Sequence, residues 1–429
     1  MQPVFQAFPK VVRTGRATEI SIYPYGPNPG FQDGINYTAI HYPSEEIDNN
    51  VWNWPGKPLP ARVQDGALVV SGSFDGEQRH LIVIKEVRSG DEKLVGEFPI
   101  YSLEDDLFRL YPYRGDFHMH SNESDGLEPP AYVAAMCRKI GLDFMAVTDH
   151  GQYQPSLDAQ RAYRDTDIDL AIFPGEEVHP PGNPIHIVNF GGKFSLNDLF
   201  KDLAQYQREV EAIRASLDGN LEFVDPYMYA SSVWCFNKIR LAGGLGIFCH
   251  PYWFANRMYR IPESLVMALF ATRPFDAVEA LGGYRRHETD SNVLQIARYA
   301  AEIANGNQLP IVGVSDAHGC HRDLFGWYST LIFSPSTQFE SILDSIKNYR
   351  SLAVETLPGS PLHVYGPFRL VKYGLFILNE VMPGHDALCE EEGDWMLAYL
   401  AGVGQAGERL AAARGNTQRY LERCFGRSN

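Results

Sequence analysis

The chain becomes readable at Asp116-Phe117-His118-Met119-His120-Ser121-Asn122-Glu123-Ser124-Asp125-Gly126. In an extended strand the side chains at i and i+2 share a face, so His118 and His120 present two imidazoles to one point. Imidazoles converging in this way suit a divalent metal. With 13 histidines in 429 residues, chance alone yields about 0.4 such pairs, so the pair needs context. It has that context: an apolar, strand-like run ends at the pair, and a polar loop with Gly126 follows and offers Asp125 as a further ligand.

Outward from this stretch, short apolar segments alternate with helical patterns. The candidate strands are 115–118, 144–148, 171–174, 185–190, 246–249, 277–281 and 310–314. The candidate helices include 130–140, which opens on prolines and stops before Gly141, the amphipathic 197–217, and 291–305. Strands alternating with helices predict a parallel sheet, and seven strands are enough to close a barrel.

The other polar motifs recur at the ends of these strands, where barrel enzymes keep their chemistry. Thr148-Asp149-His150-Gly151 ends one and Gly175-Glu176-Glu177 another; His186 sits in 185–190, His250-Pro251 follows 246–249, and Ser315-Asp316-Ala317-His318 follows 310–314. Taken singly, a histidine in an apolar strand is more often a satisfied core residue, and a strand-ending aspartate is often a helix N-cap. Six histidines, two aspartates and a glutamate gathered at strand ends are another matter, and metal coordination accounts for the residue types.

Residues 1–112 read differently. Runs at 17–23, 67–74, 80–87 and 93–101 alternate at short period between turns rich in Pro, Gly and Asn, which predicts a small all-β, sandwich-like domain. His41 and His80 stand alone there and read as surface or packed histidines. The domain boundaries predicted are 1–112 for the β-rich part, 113–358 for the barrel and 359–429 for a helical C-terminal extension. Helical patterns at 394–402 and 405–425 would pack on the barrel or on a second subunit of a homo-oligomer.

Composition sets outer limits. Lys and Arg number 37 against 53 Asp and Glu, so the net charge is 37 − 53 = −16, which argues against a general binder of nucleic-acid polymers. Bound metals can still supply the local positive charge that an anionic substrate needs. No apolar run is long enough to span a bilayer, and the first ten residues contain Pro3 and Pro9 rather than a secretory apolar run. Six scattered cysteines, from Cys137 to Cys424, predict free thiols in a reducing cytoplasm.

Together, His118-x-His120, Thr148-Asp149-His150, His250-Pro251 and Ser315-Asp316-Ala317-His318 resemble the four motifs of the PHP (polymerase and histidinol phosphatase) superfamily, over roughly residues 113–354. The stretch from His118 to Gly126 resembles the branch with an H-x-H-S-x-x-S-D-G signature. The resemblance implies a distorted (β/α)7 barrel with two or three divalent ions of Zn, Mn or Fe. By motif, one ion would take His118, His120, Glu177 and Asp316. A second would share Glu177 and add His186 and His250, and a third would take Asp125, His150 and His318. Glu177 is taken over Glu176 because the family pattern is G-x-E. Many relatives carry His where this chain has Asp125, so the third set departs from the pattern.

The resemblance implies a hydrolase, foremost a phosphoesterase acting on a small phosphorylated metabolite or nucleotide through a metal-bridging hydroxide. Asp316 or His318 would handle protons, and Asp149 would orient a ligand histidine from behind. Arg285, Arg286 and Arg322 are the candidate phosphate clamps. Tyr252 and Trp253 would wall the pocket or stack on a base, and His179 and His321 lie beside proposed ligands. Two rival readings are a metal-dependent carboxylic ester, amide or carbamate hydrolase, and a non-catalytic, metal-stabilised binding protein.

Overall fold

A computed structural model describes residues 5–45, 55–217, 224–285 and 288–427 of the chain. It is a mixed α/β structure that divides into two compact units. One comprises residues 1–111, 372–385 and 415–429, and the other residues 112–371 and 386–414. The 359–429 segment is thus shared between them.

In the first unit the alternating runs form the strands Ala17–Pro24, Ala67–Ser73, Arg79–Arg88 and Asp91–Leu103. A four-stranded sheet runs in the order Phe5–Phe8, Ala17–Pro24, Ala67–Ser73, Ala61–Gln64. A five-stranded sheet runs Val11–Arg13, Asp91–Leu103, Arg79–Arg88, Asn36–Pro43, Lys57–Leu59. Every other residue points inward, so Ile20, Ile22 and Val70 from one sheet share a core with Ile82, Ile84 and Ile100 from the other. His41 and His80, isolated in sequence, meet in this core, with His41 Nε2 2.9 Å from His80 Nδ1 and His80 Nε2 2.7 Å from Ser102 Oγ.

The second unit carries all the motifs. One sheet has the order Ala171–Ile172, Phe144–Met145, Tyr111–Asp116, Tyr328–Ser334, Ser351–Glu355, His363–Tyr365. Another has the order Gly175–Val178, Ile187–Phe190, Leu245–Phe248, Ala277–Leu281, Ile311–Gly313. Parallel bridges Met119↔Ala317 and His150↔Glu177 join them. Around these bridges His120 N donates to Ala317 O and Asp316 N to His118 O, both at 2.9 Å. Hydrogen-bonded neighbours therefore run from Tyr111–Asp116 through Phe144–Met145, the five strands of the second sheet, and back.

Several sequence expectations need correction. Ile187–Phe190 runs antiparallel to both of its neighbours, so the sheet is not wholly parallel. The 171–174 run stops at Ile172, because Pro174 has no N–H for a ladder. A separate strand, Gly175–Val178, then carries Glu177 in the other sheet. The 197–217 helix breaks at Asp202, which caps Leu203–Ala215 by accepting from Gln205 N; residues 218–223 lie outside the described part. The helix expected over 405–425 is two, Ala406–Ala413 and Asn416–Cys424, because Gly415 turns the chain at φ +73°. The 130–140 reading matches Pro130–Lys139, and 291–305 matches Thr289–Ala304. All six cysteines are free and buried. Among the described residues no helix is long and apolar enough to cross a membrane.

Candidate metal centre

Strand alternation separates two adjacent glutamates. Glu176 and Glu177 are both fully buried on Gly175–Val178, and successive side chains point to opposite faces. Glu176 is consumed by structure: it accepts from Asn189 Nδ2 (2.9 Å), Ser195 Oγ (2.7 Å), Leu196 N (2.6 Å) and Asn197 Nδ2 (2.8 Å). Glu177 faces the histidines.

Around Glu177 the expected ligands come together. Its Oε1 lies 2.8 Å from His186 Nδ1, 3.3 Å from His250 Nε2 and 3.5 Å from His118 Nε2. Its Oε2 is 3.7 Å from His120 Nε2 and in close contact with His150 Nδ1. Asp316 Oδ1 lies 2.9 Å from His120 Nε2 and 3.4 Å from His118 Nε2. Asp125 Oδ1 is 3.4 Å from His150 Nε2 and 3.3 Å from His318 Nε2. All nine positions named from the motifs therefore stand in one continuous cluster. It contains the compact donor groups His118–His120–Glu177, His118–His250–Asp316 and His120–Asp125–His150–His318.

Backbone strain supports the arrangement. Asp316 (φ 48°) and His250 (φ 26°) hold positive φ, a conformation that non-glycine residues keep only where the surroundings impose it. Gly283 makes room for Asp316: its own φ is +69°, and a Cβ there would meet Asp316 Oδ2 at 2.9 Å.

The donors fit divalent ions. Ligands bound at about 2.0–2.2 Å stand roughly 3–3.5 Å apart, as most of these atoms do. His118 Nε2, His186 Nδ1 and Glu177 Oε2 are buried and, close as these approaches are, make no well-aligned hydrogen bond, a costly state for polar atoms in a folded interior. Without metal, protons must hold the cluster together. Burial opposes charge on His118, but Asp316, Glu279 and Glu177 outweigh it and raise that ring well above its usual range. Burial likewise opposes charge on Glu177, yet His118 and His186 hold it well below the usual carboxylate range. Burial lowers His186 to about 4. Cations would neutralise the same buried carboxylates without that proton traffic.

One residue of the centre escaped the sequence reading. Glu279, on Ala277–Leu281, is 1% exposed. Its Oε1 lies 2.7 Å from His118 Nδ1 and its Oε2 accepts from His250 N at 2.7 Å. Asp149, expected to orient a histidine, instead accepts from Ser121 N (2.8 Å), Ser121 Oγ (2.5 Å) and Ser124 Oγ, and so shapes the 121–124 loop. Both Asp149 carboxylate oxygens are committed to that loop, and the position behind His118 is filled by Glu279.

The cluster opens into a cavity of about 670 Å³ whose wall includes Asp125, His179, Trp253, Arg285 and Leu324. Arg285 and Arg322 both line an adjoining hollow of about 530 Å³ beside His318. Arg286 lies outside the described residues. Trp253 stands 5.3 Å from the His186 ring and 5.6 Å from that of His250, measured between centroids. Tyr252 is turned away into packing, where its hydroxyl accepts from Arg298 Nε at 2.9 Å. His321 meets Tyr132 Oη at 3.0 Å, outside the cluster.

No family model matches the chain. A 57-residue stretch, 13% of the chain, is 44% identical to the DNA polymerase/3'-5' exonuclease PolX of Bacillus subtilis (strain 168), and the match spans only 10% of that relative's length. Among solved structures, the chain is similar to a two-domain protein of Bacteroides vulgatus ATCC 8482 described as containing a predicted PHP-like metal-dependent phosphoesterase. The identity is 19%, the match covers 57% of this chain and 65% of that one, and the TM-score is 0.38. It is also similar to an amidohydrolase of Chromobacterium violaceum with bound sulfate and no metal, at 17% identity over 48% of this chain and 87% of that one, with a TM-score of 0.30. The four motifs of this chain resemble those of the polymerase and histidinol phosphatase superfamily.

Proposed function

We propose that this chain is a metal-dependent hydrolase of the PHP type, acting as a phosphoesterase on a small phosphorylated metabolite or nucleotide. The observation that carries the reading is the nine-residue cluster around Glu177, opening into a cavity with Arg285 in its wall and Arg322 in the adjoining hollow. The circuit of ladders through both sheets of the second unit supports reading residues 113–358 as a distorted (β/α)7 barrel, with the β-rich 1–112 before it and the helical 359–429 after it.

His118, His120, Glu177 and Asp316 would hold one ion, Glu177, His186 and His250 a second, and Asp125, His150 and His318 a third. Bound there, Zn, Mn or Fe would supply Lewis acidity and a water acidified toward neutral pH. Arg285 and Arg322 bind the phosphoryl oxygens and orient the ester. Asp316 and His318, both on the cavity wall, are placed to take or give a proton at the reacting oxygens. Glu279 keeps the His118 ring in one orientation.

The test is phosphate release from a broad phosphoester panel after loading with Mn, Zn or Fe, with the Asp316→Asn/His318→Ala double variant as control. Release that disappears in the variant is the expected result. No release from any metal form, with hydrolysis of carboxylic esters or carbamates by the same preparations, would overturn the phosphoesterase reading.

A further inference from the structure

The motifs account for six histidines of the centre, but a seventh, His179, stands among them. It follows the strand Gly175–Val178, two residues beyond Glu177. Glu177 and His179 therefore repeat the i, i+2 spacing of His118/His120 and Asp316/His318, and both side chains reach the cluster. One neighbour fixes both: His179 N donates to Asn197 Oδ1 at 3.3 Å, and Asn197 Nδ2 donates to Glu177 O at 3.1 Å.

The ring is aimed at the cluster. His179 Nε2 lies 3.0 Å from His150 Nδ1 and 3.4 Å from Glu177 Oε2, and His150 Nδ1 is itself in close contact with that oxygen. Three donor atoms thus form a triangle. Two imidazole nitrogens facing each other beside a carboxylate have lone pairs that one proton or one cation must share. The ring is also stacked on His186, with centroids 4.0 Å apart and planes 16° from parallel, which limits its freedom to turn away. The His179 side chain remains 37% exposed and lines the cavity, so an ion can reach it without unfolding.

We propose that His179 Nε2 is a metal ligand of this centre, taking a divalent ion together with Glu177 Oε2 and His150 Nδ1. The proposal rests on the metal-centre reading above and adds a ligand to the motif set. Two nitrogens and one carboxylate oxygen suit zinc or iron better than magnesium or calcium. His150 has its other nitrogen 3.4 Å from Asp125, so an ion in the triangle and an ion beside Asp125 compete for one imidazole.

The experiment uses the full chain and its His179→Ala and His179→Gln variants, with His321→Ala as an exposed-histidine control. Each is titrated with Zn(II) against a chromophoric chelator, and each is loaded with Co(II) for its ligand-field spectrum. Both His179 variants should lose at least about ten-fold in Zn(II) affinity at one site, because even outer-shell changes cost that much, and their Co(II) bands should shift. His321→Ala should behave as wild type. Wild-type affinity and an unchanged Co(II) spectrum in both His179 variants would overturn the proposal while leaving the metal centre intact. A wild-type chain that binds neither ion would overturn the metal-centre reading and this proposal with it.

Discussion

Glu279 and His118 form a short, fully buried polar contact: Glu279 Oε1 lies 2.7 Å from His118 Nδ1, and both side chains are at most 1% exposed. With Nδ1 engaged, Nε2 is left to face Glu177 and Asp316. The same carboxylate also holds the His250 backbone N–H. Glu279 therefore holds two of the proposed ligands, His118 and His250, which come from distant parts of the chain.

It follows that Glu279→Gln should weaken metal binding by about 10–100-fold, the usual cost of losing an outer-shell carboxylate. Chelator competition on the purified variant measures this. Wild-type affinity in Glu279→Gln would remove the positioning role.

The two adjacent glutamates should separate cleanly. Glu176→Ala strips partners from Asn189, Ser195, Leu196 and Asn197, and each unsatisfied buried group costs about 1–3 kcal/mol. We expect a loss of about 3 kcal/mol or more, read as a lowered denaturation midpoint of the metal-free protein. Glu177→Ala should instead show its main effect in metal content. Equal destabilisation with equal metal content would contradict the assignment of opposite faces.

Arg285→Ala and Arg322→Ala should each lower kcat/KM on phosphoesters by about ten- to a hundred-fold, since a charge-assisted hydrogen bond is worth about 1.5–3 kcal/mol. Neither should change metal content. Steady-state kinetics on the best substrate of the panel decides, and unchanged kcat/KM in both variants would remove the phosphate-clamp role.

The first unit should be acid-sensitive for a separate reason. Burial, together with the charges of His41 and Lys57, lowers His80 to about 3, whereas an unfolded histidine titrates near 6.5. The unfolded chain then binds more protons between those values. Stability from this group is complete above about pH 6.5 and is lost as pH falls toward 3. Urea melts of the full chain and of His80→Asn between pH 7 and 4 should show a shallower pH dependence in the variant. Parallel curves would show that His80 is not the group responsible.

Much of the site was legible because its residues sit just past the ends of apolar strand runs. His118/His120 and Asp316/His318 announce themselves at i, i+2, and the ends of apolar runs mark where such pairs can act. Glu177/His179 has the same spacing, so that signal was present for His179 as well. Glu279 also left a trace, a lone acid inside the apolar run Ala277–Leu281, but its partner lies 161 residues away and only the fold brings them together. Asp149 misled because a strand-ending acid can serve a ring or a loop, and tertiary placement chose the loop. The antiparallel Ile187–Phe190 was hidden because strand direction is not written in a four-residue apolar run.

The central claim, that the cluster around Glu177 holds divalent metal, is tested most directly by counting the ions. Elemental analysis of the chain after loading with Mn, Zn or Fe and desalting should find about two or three ions per wild-type chain, and fewer in Glu177→Gln, whose side chain has the same shape. A wild-type chain that retains no divalent ion, or a Glu177→Gln variant that retains the full complement, would contradict the account.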